Sequence, residues 1–497
     1  MLEHPDPSTL FSEAIAAIAK DRFVDRLWQR DGTLFATSHA DQATARAARD
    51  GLGWVFDTQA LRDAVDQLAI LARVVERLRY DRVVVVAPPP IAAWCDAVGR
   101  HLKGKRGLPL VALWGTTDAD VAAALDDGKA AKPLWIFIAT TDSPAAAVSA
   151  YSALSARLRS TDDCVAIAPA GSELDRLARR LAFRETFALP ADIGARFAAV
   201  SMASLVPAAL AGVVLHDALA RAEDLLDQCR DLAPDLNPGV RLGAWLWANG
   251  HRRQGLHLSF SKDCRGFADW VAHMAAVPGG ACLWPIQVAR PAAEAAWWVP
   301  RAPAAILVSV STFAHPDDPV AEAARAAGVP DEAFVLPDVA DWWAEAVRWQ
   351  FALATWGHLA RRNPFAAAGA AASGSQPAPE LPISALAALP RALTDSLVGL
   401  DVHDRVVVTV QLPAAPATLQ RLEALRESLA RATVAGVVVS HPGRWPQTTV
   451  DALPDGCRGL VVHVDAEFGD GVRPGVPATA HGWQAVHAFL ASTADPS

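Results

Sequence analysis

Lysine is scarce in this sequence of 497 residues and is absent beyond residue 262. Arginine supplies most of the positive charge, and the lysines are Lys20, Lys103, Lys105, Lys129, Lys132 and Lys262. Lysine-dependent catalysis is therefore excluded from the remainder of the chain.

Cysteine is also rare, and no two cysteines have C-x-x-C spacing. The six residues are Cys95, Cys164, Cys229, Cys264, Cys282 and Cys457. This scatter argues against a disulfide framework and against a structural zinc site. We interpret the cysteines as small core residues and predict neither a metal site nor a cofactor.

Long apolar runs and basic clusters are missing as well. No apolar run reaches the ~18 residues that a membrane-spanning helix needs. The net charge is -9, and the basic segments, HLKGKR (101–106) and HRR (251–253), are short, so we expect no nucleic-acid binding. The N-terminus opens with acidic residues and lacks a basic segment followed by an apolar one. We therefore expect a cytoplasmic protein without a membrane contact.

The chain does contain short apolar runs that alternate with alanine-rich helical stretches. Predicted strands lie at 82–89, 133–141, 164–170, 256–261, 281–286 and 304–311, with three more in RVVVTVQL, VAGVVVS and GLVVHV. Continuous apolar strands separated by helices are typical of parallel sheets that are covered on both faces. The sequence predicts an α/β fold with parallel sheets flanked by helices.

The length favours two or three domains, because single cores rarely exceed roughly 250 to 300 residues. Residues 205–228 suggest one or two connecting helices, and 341–362 a long helix. We predict a helical N-terminal segment, a first α/β domain, a second α/β domain, a linker rich in Ala, Gly, Ser and Pro, and a C-terminal α/β portion. Their respective bounds are 1–60, 61–230, 231–365, 366–380 and 381–497.

Several segments resemble the glucose-6-phosphate isomerase family. They include ALPADIGARF (188–197), NPGVRLGAWLW (237–247), GFADWVAHM (266–274) and RWQFALATWGHLARRNPF (348–365). They are most similar to the isomerase half of fused transaldolase and glucose-6-phosphate isomerase chains. The resemblance implies two flavodoxin-like sugar isomerase (SIS) domains that interconvert glucose 6-phosphate and fructose 6-phosphate through an enediol. Such chemistry needs a carboxylate base and a cation beside the developing oxyanion.

The positions that the resemblance assigns to catalysis carry side chains that cannot do this chemistry. Val277 stands where the family has its glutamate base, and Gly374, within the 366–380 segment, stands for the lysine. Gln350 replaces a helix glutamate, and Phe351 follows where many relatives have a ring-opening histidine. Only Arg196 keeps its family identity among the catalytic-motif residues, beside the retained Gly194.

The phosphate-binding loops are altered too. APPPIAA (87–93) replaces a glycine- and serine-rich loop, and its prolines remove amide donors. The second loop keeps the hydroxyls of Thr140, Thr141 and Ser143 but adds Asp142, which would repel an anion. We assign Arg196 and these three hydroxyls as candidate substrate-binding groups. The alternatives are a structural ion pair for the arginine and helix capping for the hydroxyls.

These losses favour a catalytically inactive homologue that acts as a binding, scaffold or regulatory protein in carbohydrate metabolism. Its expected partners are a second copy of the chain or a carbohydrate-metabolism enzyme, with transaldolase a candidate by association with the fused relatives. Two alternatives stay open: an active or residual glucose-6-phosphate isomerase, and a sugar-phosphate sensor that uses Arg196 and the Thr140 loop. No G-x-S-x-G, P-loop or H-E-x-x-H motif indicates a replacement chemistry.

Overall fold

The computed structural model describes residues 6–38, 41–55, 58–116, 118–125, 132–250, 255–275, 284–287 and 305–366, and shorter segments between 375 and 490. Three sheets of four or five strands are parallel throughout and are flanked by helices. The predicted α/β class is confirmed. Within the described residues, no helix is long and apolar enough to cross a membrane.

Helices precede the first sheet and surround it. The first four are α1 (Pro7–Lys20), α2 (Phe23–Trp28), α3 (Gln42–Arg49) and α4 (Gln59–Arg77). Those that follow the strands are α5 (Pro89–His101), α6 (Asp118–Leu125), α7 (Ala146–Leu154) and α8 (Glu173–Arg180).

The first sheet has the strand order β2-β1-β3-β4-β5. Its strands are β1 (Arg82–Val86), β2 (Leu110–Ala112), β3 (Pro133–Ile138), β4 (Cys164–Ala168) and β5 (Glu185–Ala188). Every residue of β3 is buried, which explains its continuous apolar sequence. The sequence predictions at β1, β3 and β4 are confirmed. It missed β2, which has three residues, and the edge strand β5, which is partly exposed and not apolar throughout.

The second sheet repeats this order as β7-β6-β8-β9. Its strands are β6 (Gly255–Phe260), β7 (Trp284–Gln287), β8 (Ala305–Thr312) and β9 (Asp331–Leu336). Helices α9 (Met202–Leu210), α10 (Leu215–Gln228) and α11 (Pro238–Gly250) connect the two sheets, and α12 (Arg265–Ala275), α13 (Pro319–Ala326) and α14 (Trp342–Leu359) accompany the second. The predicted long helix and pair of connecting helices are therefore present.

A third sheet lies in the C-terminal part of the chain, in the order β11-β16-β14-β12-β13. Its strands are β11 (Glu380–Ile383), β12 (Arg405–Val410), β13 (Gly436–Ser440), β14 (Gly459–Ala466) and β16 (Trp483–Leu490). Strands β10 (Ser375–Gln376) and β15 (Val476–Pro477) form a separate antiparallel pair. Where strand pairing is described, this sheet makes no pair with the second one. The domain bounds given above remain predictions.

Aromatic side chains join the helices of the first two sheets. Trp94 of α5 is buried, and its ring centroid lies 5.2 Å from that of Trp270 on α12 and 5.1 Å from that of Trp343 on α14. Helices α5 and α12 approach closely because Gly266 has no side chain: a Cβ there would lie 2.8 Å from the Cβ of Ala97. Edge-to-face aromatic pairs of this kind add to the stabilisation from burial.

We expect Trp94→Ala to lower the free energy of unfolding by about 3–5 kcal/mol, because the cavity would lie between three helices. Urea denaturation followed by circular dichroism measures this. Leu232→Ala is the control, since Leu232 is 66% exposed, and it should change stability by at most about 0.5 kcal/mol. Equal losses in the two variants would contradict the structural role of Trp94.

Candidate functional site

Arg196 lies in the short 3-10 helix Ala195–Phe197, which follows β5. Its side chain is buried, and the guanidinium donates a hydrogen bond to the carbonyl of Ala366. Burial lowers the pKa of Arg196 to about 10, and the nearby carboxylate of Asp142 opposes that shift. The guanidinium therefore remains a buried cation at neutral pH.

The loop after β3 places a carboxylate beside this cation. The oxygens of Asp142 accept the backbone N–H of Ala195 at 3.1 and 3.2 Å, and Oδ1 accepts the hydroxyl of Thr140 at 2.6 Å. The approach is close, because a Cβ on Gly194 would lie 2.9 Å from Oδ2 of Asp142. A side chain of the protein thus occupies backbone and hydroxyl donors that an anionic ligand would use.

The three predicted hydroxyl residues share this loop but differ in their surroundings. Thr140 is buried, Thr141 is exposed, and Ser143 is half-buried. The hydroxyl of Thr141 donates to the carbonyl of Ala191. The alternative that these hydroxyls cap the next helix is wrong, because the N-cap of α7 is Ala145 and no side chain caps it. The assignment of the hydroxyls to a substrate stays a prediction.

Gln350 of α14 is bonded to the same region. Its Nε2 donates to the carbonyl of Phe197 at 2.7 Å, and the side chain is buried. Beside it, Phe351 packs edge-on against Trp54 at 5.1 Å between ring centroids, and Trp54 stacks on Phe197 at 5.1 Å. Gln350 is therefore surrounded by aromatic rings, and its own side chain is an amide where the resemblance places a carboxylate. Two predicted replacement positions, Val277 and Gly374, lie outside the described residues.

Two buried histidines have structural surroundings. His358 donates from Nδ1 to the carbonyl of Leu34 at 2.7 Å, and its Nε2 lies 3.2 Å from Oδ2 of Asp21. Burial lowers the pKa of His358, and the Asp21 carboxylate opposes that effect. His273 stacks on Trp114 with ring centroids 6.3 Å apart. Both histidines are therefore packed side chains of the core.

A second polar cluster, which sequence reasoning missed, follows strands β6 and β8. Asp263 accepts hydrogen bonds from the hydroxyls of Ser261 and Thr312, the latter at 2.5 Å, and its Oδ2 lies 3.0 Å from Nδ1 of His315. The side chains of Asp263 and His315 are 21% and 37% exposed. We call these four residues the Asp263 cluster. Its members lie up to 54 residues apart in the chain, so only the fold brings them together.

The protonation state of the Asp263 cluster follows from its hydrogen bonds. Burial raises the pKa of Asp263, but the bonds from Ser261, Thr312 and His315 outweigh burial and hold that pKa below its ordinary value. The carboxylate is therefore ionised at neutral pH and can only accept. Nδ1 of His315 must then carry a proton.

The two loops occupy equivalent places in the two sheets. The first loop follows β3, which pairs with β1, and the second follows β8, which pairs with β6. Each loop closes with an isolated antiparallel bridge, from Thr140 to Ser143 in the first and from Thr312 to His315 in the second. In this strand order, chain connections leave in opposite directions at that point, and ligands of α/β proteins bind in the resulting crevice. In the first sheet the carboxylate, Asp142, belongs to the loop after β3. In the second sheet the carboxylate, Asp263, belongs to the loop after β6 and bonds to the loop after β8.

Across the described residues, no group of three or more His, Cys, Asp and Glu side chains is placed to hold a metal ion.

Comparison with known proteins supports the fold. No protein-family model and no curated protein sequence matches the chain. A hypothetical protein from Thermus thermophilus is similar in structure, with a TM-score of 0.56 and 17% identity over 71% of this chain and 93% of its own. A glucose-6-phosphate isomerase from Chlamydia trachomatis gives a TM-score of 0.55 and 12% identity over 73% of this chain and 84% of its own. The chain therefore shares the fold of a sugar phosphate isomerase.

We expect Asp263 to make stability depend on pH. Its folded-state pKa is depressed, so its stabilising contribution is present above the unfolded pKa and is lost as the pH falls through the folded pKa. Thermal melts between about pH 3 and pH 7 should show stability falling below about pH 4 in the wild type. Asp263→Asn should flatten that fall, whereas Asp66→Asn, at a residue whose side chain is 91% exposed, should not. Parallel profiles for all three proteins would refute this account.

Proposed function

We propose that the protein is a non-catalytic relative of sugar phosphate isomerases that acts by binding, as a scaffold or regulatory protein in carbohydrate metabolism. The observation that carries the proposal is the carboxylate of Asp142. It accepts the amide of Ala195 and the hydroxyl of Thr140 beside the buried Arg196. An anionic substrate would have to displace this internal anion, and each bond it gained would replace one already present.

The remaining groups also support a role without turnover. An aldose–ketose isomerisation needs a group that takes a proton from one carbon and returns it to the next. The amide of Gln350 cannot do this, and it donates to the carbonyl of Phe197. His358 is bonded to Leu34 and buried on α14. The polar groups near Arg196 therefore act within the protein.

A partner protein is part of the proposal, either as a second copy of the chain or as an enzyme of carbohydrate metabolism. Exposed apolar side chains support such a contact. Ile70 and Val74 on α4 are 57% and 40% exposed, and Val214, at the start of α10, is 63% exposed. Single exposed apolar residues are ordinary, but two on successive turns of one helix are a place where a partner would gain by burying them.

A sugar-phosphate sensor is the second candidate, and the buried cation of Arg196 favours it. A charge without water nearby attracts an anion more strongly than an exposed one. In that case a ligand would enter by displacing Asp142, and binding would occur without turnover.

The first experiment is a coupled assay that converts fructose 6-phosphate to glucose 6-phosphate, run beside a thermal-shift titration with both sugars. We expect no turnover above a buffer blank and no shift that exceeds that of glucose, because Asp142 occupies the donors. A phosphate-specific shift without turnover would favour the sensor. Turnover that Arg196→Ala abolishes would overturn the non-catalytic proposal.

The second experiment removes the internal anion. Asp142→Ala leaves the Ala195 amide without its acceptor and should cost about 1–3 kcal/mol of stability. We expect inorganic phosphate to restore part of that stability by taking the place of the carboxylate, whereas potassium chloride at equal ionic strength should not. The matched control is Asp66→Ala. Its melting temperature should change equally in phosphate and in potassium chloride. Identical responses of the two variants to phosphate would show that Asp142 does not occupy an anion position.

A further inference from the structure

We propose that the Asp263 cluster, together with the adjacent ring of Phe313, is a second binding site, and that it takes a neutral ligand rich in hydroxyl groups, such as an unphosphorylated hexose. The site lies at the carboxyl ends of β6 and β8, at the place equivalent to the loop of Asp142 in the first sheet. It is independent of the proposed function, since it uses none of the residues around Arg196.

His315 is the group that meets the ligand. Asp263 already accepts two hydroxyls and the Nδ1 proton of His315. Its role is to hold the imidazole in one tautomer and orientation, as carboxylates do for histidines in many sites. Nε2 is then the ring nitrogen that remains for a ligand, and it makes no hydrogen bond to any part of the chain that the structure describes. The side chain is 37% exposed, so a ligand hydroxyl can approach the ring from solvent.

The surroundings argue for a neutral ligand. An ionised Asp263 lies 3.0 Å from the ring of His315 and would repel a phosphate. On the facing helix α5, burial and the neighbouring Arg100 lower the pKa of His101, although Asp263 opposes this, so His101 adds little positive charge. Arg100 itself is bound to Asp96 and Asp269 at 2.7 and 3.1 Å. Arg100 is thus neutralised within the chain, whereas Lys262 and Arg265, which lie within two residues of Asp263, are exposed.

Phe313 supplies an exposed apolar surface to the loop that carries His315. It lies two residues before His315 in the same loop, and it is 68% exposed. Its backbone N–H donates to the carbonyl of Leu336 at 3.0 Å, so the loop that carries the ring is fixed to β9. A sugar ring combines C–H faces that pack on an aromatic ring with hydroxyls that donate to a nitrogen.

Equilibrium dialysis of the full chain with radiolabelled D-glucose and D-fructose tests the proposal. We expect saturable binding of at least one of the two sugars, and weaker binding of glucose 6-phosphate than of glucose. His315→Ala should weaken the association about tenfold or more, which corresponds to the loss of one good hydrogen bond. Phe313→Ser should weaken it as well. Circular dichroism and thermal melts would confirm that both variants are folded.

His216→Ala is the matched control. His216 also lies near an aspartate, with Nε2 at 3.8 Å from Oδ1 of Asp66, but on exposed helical surfaces, and its side chain is 69% exposed. It should bind the sugars as the wild type does. The proposal would be overturned by the absence of saturable binding, by equal binding in His315→Ala and His216→Ala, or by tighter binding of the phosphorylated sugar that His315→Ala weakens. None of these results bears on the isomerase assay, so the two proposals fail separately.

Discussion

The contact of Trp94 with Trp270 and Trp343 is the interaction on which the arrangement of the first two sheets depends. Parallel strands are buried on both faces, so each sheet must be covered by helices on each side. Helix α5 follows β1 of the first sheet, yet its tryptophan packs between two helices of the second. Helix α5 therefore packs against both sheets' helical layers. Its close contact with α12 is possible because Gly266 has no side chain.

The repeated strand order has a consequence for the polar loops. Since the first four strands of each sheet are arranged alike, the loops after β3 and β8 reach equivalent edges and close with the same kind of bridge. The two loops differ in which side chains a ligand could reach. Asp142 accepts a hydrogen bond from the amide of Ala195, whereas Asp263 orients His315, which remains partly exposed. One fold thus carries a loop that is closed upon itself and a loop that faces solvent.

Internal bonding around Arg196 explains how the fold is stable without a ligand. A buried polar group that lacks a partner is costly, so the polar groups of a region without a ligand must find partners within the chain. The carbonyl of Ala366 accepts from Arg196, and the carbonyl of Phe197 accepts from Gln350. Both carbonyls belong to backbone near the aromatic rings of Phe197 and Phe365. The centroids of these two rings lie 4.8 Å apart. These bonds give the buried side chains of Arg196 and Gln350 hydrogen-bond partners within the chain.

The α/β class and most central strands follow from the amino-acid sequence alone, because a strand buried on both faces must be apolar throughout, and such runs are visible without a structure. It also identified residues that cannot carry a proton, since the chemistry of Gln350 does not depend on its surroundings. Short or half-exposed edge strands such as β2 and β5 were not predicted, because no periodic pattern in the sequence marks them. Only the tertiary structure decided which polar groups meet. Ser261 and His315 are far apart along the chain, and the sheet brings them to one edge because adjacent parallel strands end side by side.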